Sequence, residues 1–313
     1  MSKTLMQPMT PGEPTFMGAK HVSNIDNLDS TFAVIGAPFG FPYDIRKVHY
    51  GASDAPKAVR AISNRYGSLQ DRYDFDLAGE PFDNKPHPIR DLGDVIADPM
   101  DIPGNAVRVS EAVAQVLDKG CKPIVLGGDD SVTWMSIRGF ANQEQIIVVQ
   151  FDAHLDFRDE VNGIREGYSS PMRRASEASH VKKIIHVGGR GPGSGRREDY
   201  EGTLAAGNTI VPARDVRANG AESVLKRIPK GSRVYIAFDV DGMDPSVAPG
   251  TSAPLPGGLD FIEAQDIFIE LARHHEIVGM NLAEHYPSLD VNGITSLVIT
   301  RLIASWIGTE IRK

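Results

Sequence analysis

Short runs of apolar, β-branched residues recur along the chain, separated by segments with helical periodicity. Strands covered on one face alternate apolar and polar side chains, whereas these runs are almost continuously apolar. That pattern is typical of parallel strands buried on both faces. We predict strands at 31–38, 121–128, 145–154, 181–189, 231–241 and 276–285. Helical patterns occupy 106–120, 259–275 and 293–308. The alternation predicts one three-layer α/β/α domain with a mainly parallel sheet.

The first 30 residues lack this periodicity and are rich in Pro, Gly and Met. We expect them to form an N-terminal arm that crosses the surface or reaches another subunit. The single domain then spans 31–313. The sequence contains no internal repeat and no convincing linker that would divide it further.

Charge and composition exclude some classes of partner. The net charge is −8 and basic residues form no dominant patch, which argues against nucleic-acid binding but not against a cationic small molecule. No apolar run approaches the roughly 20 residues that span a bilayer, so no membrane partner is expected. No signal peptide is recognisable, and the single cysteine, Cys121, rules out an intramolecular disulfide. These features favour a cytoplasmic location.

Acidic residues follow four of the predicted strands. In open parallel sheets, ligands gather at the carboxyl ends of the strands. Four strand ends would therefore face one crevice. The polar residues at these ends are Asp129, Asp130, Asp152, His154, Asp156, Asp239, Asp241 and Glu284.

The stretch "FDAHLDF" places Asp152, His154 and Asp156 at alternate positions. In an extended segment, alternate side chains point the same way, so all three can face one point. Two carboxylates and an imidazole suit Mn²⁺, Ni²⁺, Fe²⁺ or Zn²⁺. A single D-x-D pair is more often a loop cap or a surface salt bridge. Several such pairs at strand ends favour cations instead, because closely packed carboxylates repel one another or take up protons.

Four motifs resemble the ureohydrolases, which are the arginases, agmatinases and guanidino-acid hydrolases. They are "GGDDS", "DAHLD", "DVDGMDPSVAPGTSAPLPGGL" and "LAEHYP…NGITSL", and they occur in the family's order from about residue 31 to the end. The resemblance implies an arginase-like fold with two divalent ions, usually manganese and in some members nickel. It is specific for the superfamily and much less so for the substrate.

The resemblance also implies site residues and a reaction. One ion would be held by Asp130, Asp152, Asp156 and Asp239, and the other by Asp152, His154, Asp239 and Asp241. A hydroxide generated between the ions would attack the guanidinium carbon, and the products would be urea and an amine. Glu284 matches the carboxylate that orients the guanidinium through charge-assisted hydrogen bonds.

The chain departs from the family pattern at the first metal site. Relatives usually have histidine where this chain has Asp130. Asp129 corresponds to the neighbouring carboxylate and is, with Glu284, a candidate catalytic residue. Asp130 either ligates the metal through oxygen, which suits Mn²⁺, or leaves the first site weakly occupied or empty.

Two further departures concern the substrate side of the site. Relatives have a proton-shuttling histidine where this chain has Tyr168, whose ordinary pKa of roughly 10 is poorly matched to proton transfer near neutrality. Tyr168 is a candidate catalytic residue, with a pocket wall or simple packing as the alternatives. Arg158 lies where relatives contact the far end of the substrate, so it either attracts a carboxylate or pairs with Asp159 or Glu160. His186 is expected to be a hydrogen-bonded core residue.

The leading hypothesis is a metal-dependent amidinohydrolase that acts on agmatine, a guanidino acid, free guanidine or a substituted guanidine or biguanide. The alternative is a weakly active or non-catalytic subunit that supports an active homologue in a heteromeric complex. The loss of two histidines favours the alternative, and the retained ligands with Glu284 favour the enzyme. The family often forms trimers or hexamers, so we expect a homo-oligomer, or a hetero-oligomer with a homologous subunit.

Overall fold

A computed structural model describes residues 5–41, 43, 50–193 and 195–313. Within these residues, nine strands form a single sheet, in which all the paired strands run parallel. The strand order is β1-β3-β2-β4-β9-β8-β5-β6-β7. The strands are β1 Lys20–His21, β2 Phe32–Gly36, β3 Ile89–Asp94, β4 Lys122–Leu126, β5 Ile146–Phe151, β6 Val181–Val187, β7 Thr209–Val211, β8 Arg233–Asp239 and β9 Glu276–Ala283.

Helices cover both faces of the sheet, which confirms the predicted three-layer α/β/α architecture. They are α1 Ala55–Gly67, α2 Ile102–Asp118, α3 Ser131–Arg138, α4 Pro171–Glu177, α5 Arg197–Ala205, α6 Ala213–Asn219, α7 Glu222–Leu225, α8 Phe261–His274 and α9 Ile294–Ile311. Successive residues of β4 separate the two cores. Ile124 belongs to the core under α1, α8 and α9, and Val125 belongs to the core under α2, α3 and α4. Both faces of this strand are therefore apolar.

Helix ends follow local capping signals that the apolar pattern does not contain. Helix α2 begins four residues earlier than predicted, where the Asp101 carboxylate accepts the Gly104 N–H at 3.0 Å. Helix α8 begins with a reciprocal capping box between Asp260 and Glu263, with N···O distances of 2.8 and 2.9 Å. These caps satisfy N–H groups that have no partner within the helix.

The N-terminal segment is anchored to the domain rather than separate from it. Strand β1 pairs with β3 at the edge of the sheet, and Phe16 and Met17 are fully buried. The Phe16 N–H donates to the Asp91 carboxylate at 2.8 Å, and Arg60 of α1 binds the same carboxylate at 2.9 Å. The buried Arg60–Asp91 pair thus ties the segment predicted as an arm to α1 and β3. Residues 1–4 lie outside the described part of the chain.

Helix α9 is long and apolar enough to cross a bilayer by length and composition. The sequence-based expectation that no apolar run approaches that length was therefore too strong. Most of the helix is buried in the protein, however, and the ring of Trp306 packs edge-on against Phe32 of β2 at 5.2 Å between centroids. These contacts are those of a core helix.

Candidate metal centre

The four central strands of the sheet end at one edge. They lie in the order β4, β9, β8 and β5, and each is followed by acidic side chains. Asp130 follows β4, Glu284 follows β9, and Asp241 follows β8. The predicted convergence of strand ends is therefore present, although the four strands are far apart in sequence.

The residues after β5 reach the site from a loop. Strand β5 ends at Phe151, so Asp152, His154 and Asp156 are not in the extended segment that the alternation argument assumed. That premise was wrong. Asp156 has a left-handed backbone with φ of +43°, which turns the chain back towards the sheet. The loop, rather than the strand pleat, brings these side chains together.

Two glycines allow the backbone segments around the site to approach closely. A Cβ on Gly127 would lie 2.4 Å from the Leu282 carbonyl oxygen, and one on Gly128 would lie 2.0 Å from that of Phe39. The Glu284 N–H donates to the Gly128 carbonyl at 2.9 Å, and Glu284 itself has a φ of +58°. The glycine pair in "GGDDS" therefore lets the end of β4 pack directly against the end of β9.

The acidic residues form two groups whose ligand atoms lie within 4.8 Å of one another. The first contains Asp130, Asp152, Asp156 and Asp239, all buried. The second contains Asp152, His154 and Asp241. Asp152 belongs to both, which is the arrangement that two neighbouring cations need.

Asp130 has one bonded and one unpartnered oxygen. Its Oδ1 accepts the Thr133 hydroxyl at 2.5 Å, and its backbone N–H donates to Glu284 Oε1 at 3.0 Å. Its Oδ2 is buried and has no hydrogen-bond partner among the described residues. A buried carboxylate oxygen without a donor is costly, and a cation satisfies it.

Burial and mutual repulsion oppose ionisation of the central carboxyls. Burial, with the charge of Asp152, raises the pKa values of Asp130 and Asp156 well above the usual aspartate value. Burial, with the charge of Asp241, does the same to the pKa of Asp239. The pKa of Asp152 is raised to about 6 by burial and by Asp241. Divalent ions remove this repulsion, so the donor set fits a binuclear centre.

The neighbouring carboxylates also raise the pKa values of His154 and Glu284. Burial lowers the pKa of His154, but hydrogen bonds to Asp152 and Asp241 outweigh it and raise the value to about 10. The Nδ1 atom lies 3.0 Å from Asp241 Oδ2. A protonated imidazole there neutralises carboxylates as a cation would. Burial and the charge of Asp129 raise the pKa of Glu284 to about 8.

We expect the chelator-treated protein to become less stable as the pH rises from about 6.5 to about 8. Folding raises the pKa of Glu284 from 4.5 to about 8 and that of His154 from 6.5 to about 10. Over this range the folded chain retains protons that the unfolded chain has lost, so the free energy of unfolding falls with pH. Mn²⁺ bound at the ligand group that contains His154 displaces the proton of that imidazole and should reverse the trend. Melting temperatures with EDTA and with Mn²⁺ test this; parallel pH profiles in the two conditions would contradict it.

A chain of hydrogen bonds from His186 through Gln150 orients Asp152. Gln150 Nε2 donates to Asp152 Oδ2 at 2.6 Å, and the Gln150 Oε1 atom lies 2.5 Å from His186 Nδ1. All three side chains are buried, and burial lowers the pKa of His186 to about 3, so the imidazole is neutral. A neutral imidazole that donates from Nδ1 fixes the orientation of the Gln150 amide. His186 is thus a hydrogen-bonded core residue, as predicted, but one linked to the site.

Replacing Gln150 with alanine should weaken Mn²⁺ binding about 10- to 100-fold, the range typical of residues that orient a metal ligand. The substitution removes the N–H that fixes Asp152 Oδ2. Gln145→Ala is the matched control, because Gln145 is exposed, precedes the start of β5, and its amide donates to the Ser179 carbonyl. Competition with a fluorescent chelator measures the affinity. Equal affinities of the two variants would show that Gln150 does not position Asp152.

Two other aspartates of these motifs have different contacts. Asp129 accepts the Ser131 N–H at 3.0 Å and is absent from both ligand groups. Asp244 accepts the N–H groups of Gly257 and Gly258 at 2.7 and 3.1 Å. Despite some desolvation, its hydrogen bonds lower the pKa of Asp244 to about 2. Asp244 therefore closes the loop after β8 and takes no part in the cluster.

A cavity of about 150 Å³ opens onto the cluster. Besides acidic groups and His154, its walls include Tyr168, Ser169, Ser252 and Ala253, of which only Tyr168 was predicted. The Tyr168 ring packs against Tyr43 with centroids 4.5 Å apart. Burial raises the pKa of Tyr168, so its phenol is neutral at physiological pH. The structure thus places Tyr168 on the cavity wall.

Arg158 lies elsewhere. Its Nε is 3.6 Å from Asp199 Oδ2, and it is not among the described residues that line the cavity. The expected neighbour Asp159 instead pairs with Arg165 and Arg174. The role of Arg158 as a substrate contact stays a prediction that this geometry does not support. The predicted pairing with Asp159 or Glu160 is replaced by one with Asp199.

Comparison with known proteins identifies relatives over nearly the whole chain. Residues 30–308 match the model of the Arginase family. The chain is 29% identical over 320 residues to guanidinobutyrase from Pseudomonas aeruginosa, covering 97% of this chain and 96% of the relative. It is 29% identical to the mitochondrial agmatinase of Gallus gallus, covering 90% and 81%. Among solved structures, proclavaminate amidino hydrolase from Streptomyces clavuligerus superposes with a TM-score of 0.81 at 28% identity, covering 96% and 97%.

Proposed function

Because the chain belongs to the arginase family, we propose that it is a binuclear metal-dependent amidinohydrolase that releases urea from a guanidine-type substrate. The observation that carries this proposal is the convergence of two ligand groups that share Asp152, beside Glu284 and one cavity. Members of the family hydrolyse amidino C–N bonds, and the named relatives differ in the rest of the substrate.

Asp130, Asp152, Asp156 and Asp239 would hold one ion, and Asp152, His154 and Asp241, with Asp239 alongside, would hold the other. Mn²⁺ is the ion we favour, with Ni²⁺ as the alternative. When bound, two such cations activate water as a nucleophile and stabilise charge that develops on the substrate. The buried orphan oxygen of Asp130 and the raised pKa values of its neighbours support this assignment.

Glu284 is positioned to bind the guanidinium group. Its Oε1 accepts the Asp130 N–H at 3.0 Å, and its Oε2 lies 3.4 Å from the Ser252 hydroxyl, so the carboxylate is held at the cavity. A guanidinium ion presents several N–H donors in one plane, which a fixed carboxylate can accept. Glu284 therefore orients the central carbon towards the two ligand groups.

The reaction balances without a further co-reactant. A C–O bond forms between the oxygen of water and the guanidinium carbon, and the C–N bond to the amine breaks. Both protons of the water pass to the leaving nitrogen, so the products are urea and the protonated amine. Tyr168, whose phenol holds its proton at neutral pH, shapes the wall and does not replace the shuttle histidine of relatives.

The alternative of a non-catalytic supporting subunit is not favoured. A subunit without catalytic demand has no need to keep the carboxylates buried against their mutual repulsion, and here they remain clustered. The predicted trimer or hexamer, the heteromeric assembly and the cytoplasmic location stay predictions.

The test is to purify the chain alone, load it separately with Mn²⁺ and Ni²⁺, and measure bound metal and urea release. The panel contains agmatine, 4-guanidinobutyrate, guanidine, methylguanidine and a biguanide. Two ions per chain with urea release from at least one compound supports the enzyme. Absence of both, with activity only after a homologous partner is added, would overturn the proposal in favour of a supporting subunit.

A further inference from the structure

The two ligand groups differ in donor chemistry. Among the described residues, the group around Asp130 offers carboxylate oxygens, from Asp130, Asp152, Asp156 and Asp239. The other group contains the imidazole of His154. The two groups are adjacent because they share Asp152, so one centre combines an all-oxygen site with a site that contains nitrogen.

A buried chain of side chains fixes Asp130 as an oxygen ligand. Thr133 donates to Asp130 Oδ1 at 2.5 Å, Asn281 Nδ2 donates to the Thr133 hydroxyl at 2.6 Å, and the Tyr235 hydroxyl donates to Asn281 Oδ1 at 2.9 Å. All four residues are buried. These contacts fix the Asn281 amide and Asp130 Oδ1. Asp130 Oδ2 is then the oxygen without a hydrogen-bond partner among the described residues.

Donor type decides which ions such sites prefer. Carboxylate oxygens suit hard ions such as Mn²⁺ and Mg²⁺, whereas imidazole increases the relative affinity for Zn²⁺ and Ni²⁺. Charge acts in the same direction, because an all-carboxylate set binds mainly through electrostatic attraction, which is similar for divalent ions of similar size. The ratio of the affinity for Zn²⁺ to the affinity for Mn²⁺ should therefore be smaller at the Asp130 site than at the His154 site.

We propose that the two sites select different ions, so that the centre is heterobinuclear, with a hard ion such as Mn²⁺ beside Asp130 and a nitrogen-preferring ion such as Zn²⁺ or Ni²⁺ beside His154. This inference rests on the proposed function only in treating the cluster as a two-ion centre. It follows from this chain's Asp130 and from the contacts that hold it.

Metal exchange on the intact protein tests the inference. The protein is loaded with Zn²⁺, dialysed against buffers of increasing Mn²⁺:Zn²⁺ ratio, and both metals are measured per chain. We expect two steps, the first Mn²⁺ entering at a ratio at least about tenfold lower than the second. Between the steps, electron paramagnetic resonance should show Mn²⁺ not coupled to a second Mn²⁺, because Zn²⁺ has no unpaired electron.

Two reciprocal substitutions assign the steps. Asp130→His adds nitrogen to the first site, so the first Mn²⁺ should enter at a higher Mn²⁺:Zn²⁺ ratio, closer to that of the second. His154→Asp removes nitrogen from the second site, so the second Mn²⁺ should enter at a lower ratio, closer to that of the first. Circular dichroism confirms that each variant is folded, and the wild-type curve remains decisive if one is not.

The outcomes separate this inference from the proposed function. A single exchange step with two ions bound would overturn the inference and leave the enzyme assignment intact. Two steps that Asp130→His does not change would also overturn it. Two steps in a chain that releases no urea from any guanidine would support the inference while the enzyme proposal fails. A chain that binds neither ion overturns both.

Discussion

Replacing Asp152 with asparagine should abolish urea release and reduce bound metal from two ions per chain to less than one. Among the described residues, Asp152 is the one common to both ligand groups. We expect the affinity for Mn²⁺ to fall by more than about 100-fold, since that is the upper end for residues that merely support a ligand. Elemental analysis after gel filtration, with a urea assay on the same sample, measures both effects.

The geometry explains why an isosteric amide cannot substitute. Asp152 Oδ1 accepts the His154 backbone N–H at 2.6 Å, and Oδ2 accepts Gln150 Nε2 at 2.6 Å. An asparagine would direct its NH₂ group at one of these donors and would carry no charge for the ions. Asp159→Asn is the matched control, because Asp159 is exposed, pairs with Arg165 and Arg174, and belongs to neither ligand group. Retention of two ions by Asp152→Asn would contradict the assignment of Asp152 as a ligand shared by both ions.

Glu284→Gln should lower kcat/KM by roughly 10- to 100-fold, as expected for losing a charge-assisted hydrogen bond. The loss should appear mainly in KM, because Glu284 binds the substrate cation and is absent from both ligand groups. The metal content should therefore stay at two ions per chain. Steady-state kinetics with the best substrate of the panel measures the split.

The same substitution should stabilise the metal-free protein above about pH 8. Burial and the charge of Asp129 raise the pKa of Glu284 from 4.5 to about 8, so ionisation of this group in the fold is unfavourable. Glutamine is neutral at every pH and removes that penalty, and the melting temperature in EDTA should rise relative to wild type. Glu177→Gln, at an exposed helix position, controls for loss of one negative charge. A lower melting temperature for Glu284→Gln than for wild type at high pH would contradict the role of repulsion.

The layers of the fold follow from the sequence because burial on both faces produces continuous apolar runs. Strands β2, β4, β5, β6, β8 and β9 were predicted in this way, with ends that extended past the true boundaries. Strands β1, β3 and β7 were not predicted. Strand β3 reads "IRDLGD", and the polar residues that hide it, such as Asp91, are satisfied by Arg60 rather than by solvent. Their partners are distant in sequence, so no local pattern reveals them.

By itself, the sequence determined the sheet architecture, the family and the set of acidic residues at the strand ends, because side-chain periodicity and strand-end composition are local properties. Only the tertiary structure decided how those residues are grouped and supported. The loop after β5 carries Asp156 into the cluster. Asn281 of β9 donates to Thr133 of α3, and Gln150 links His186 to Asp152. These contacts depend on the strand order β4-β9-β8-β5, which brings distant segments side by side. The same contacts leave Oδ2 of Asp130 without a hydrogen-bond partner among the described residues.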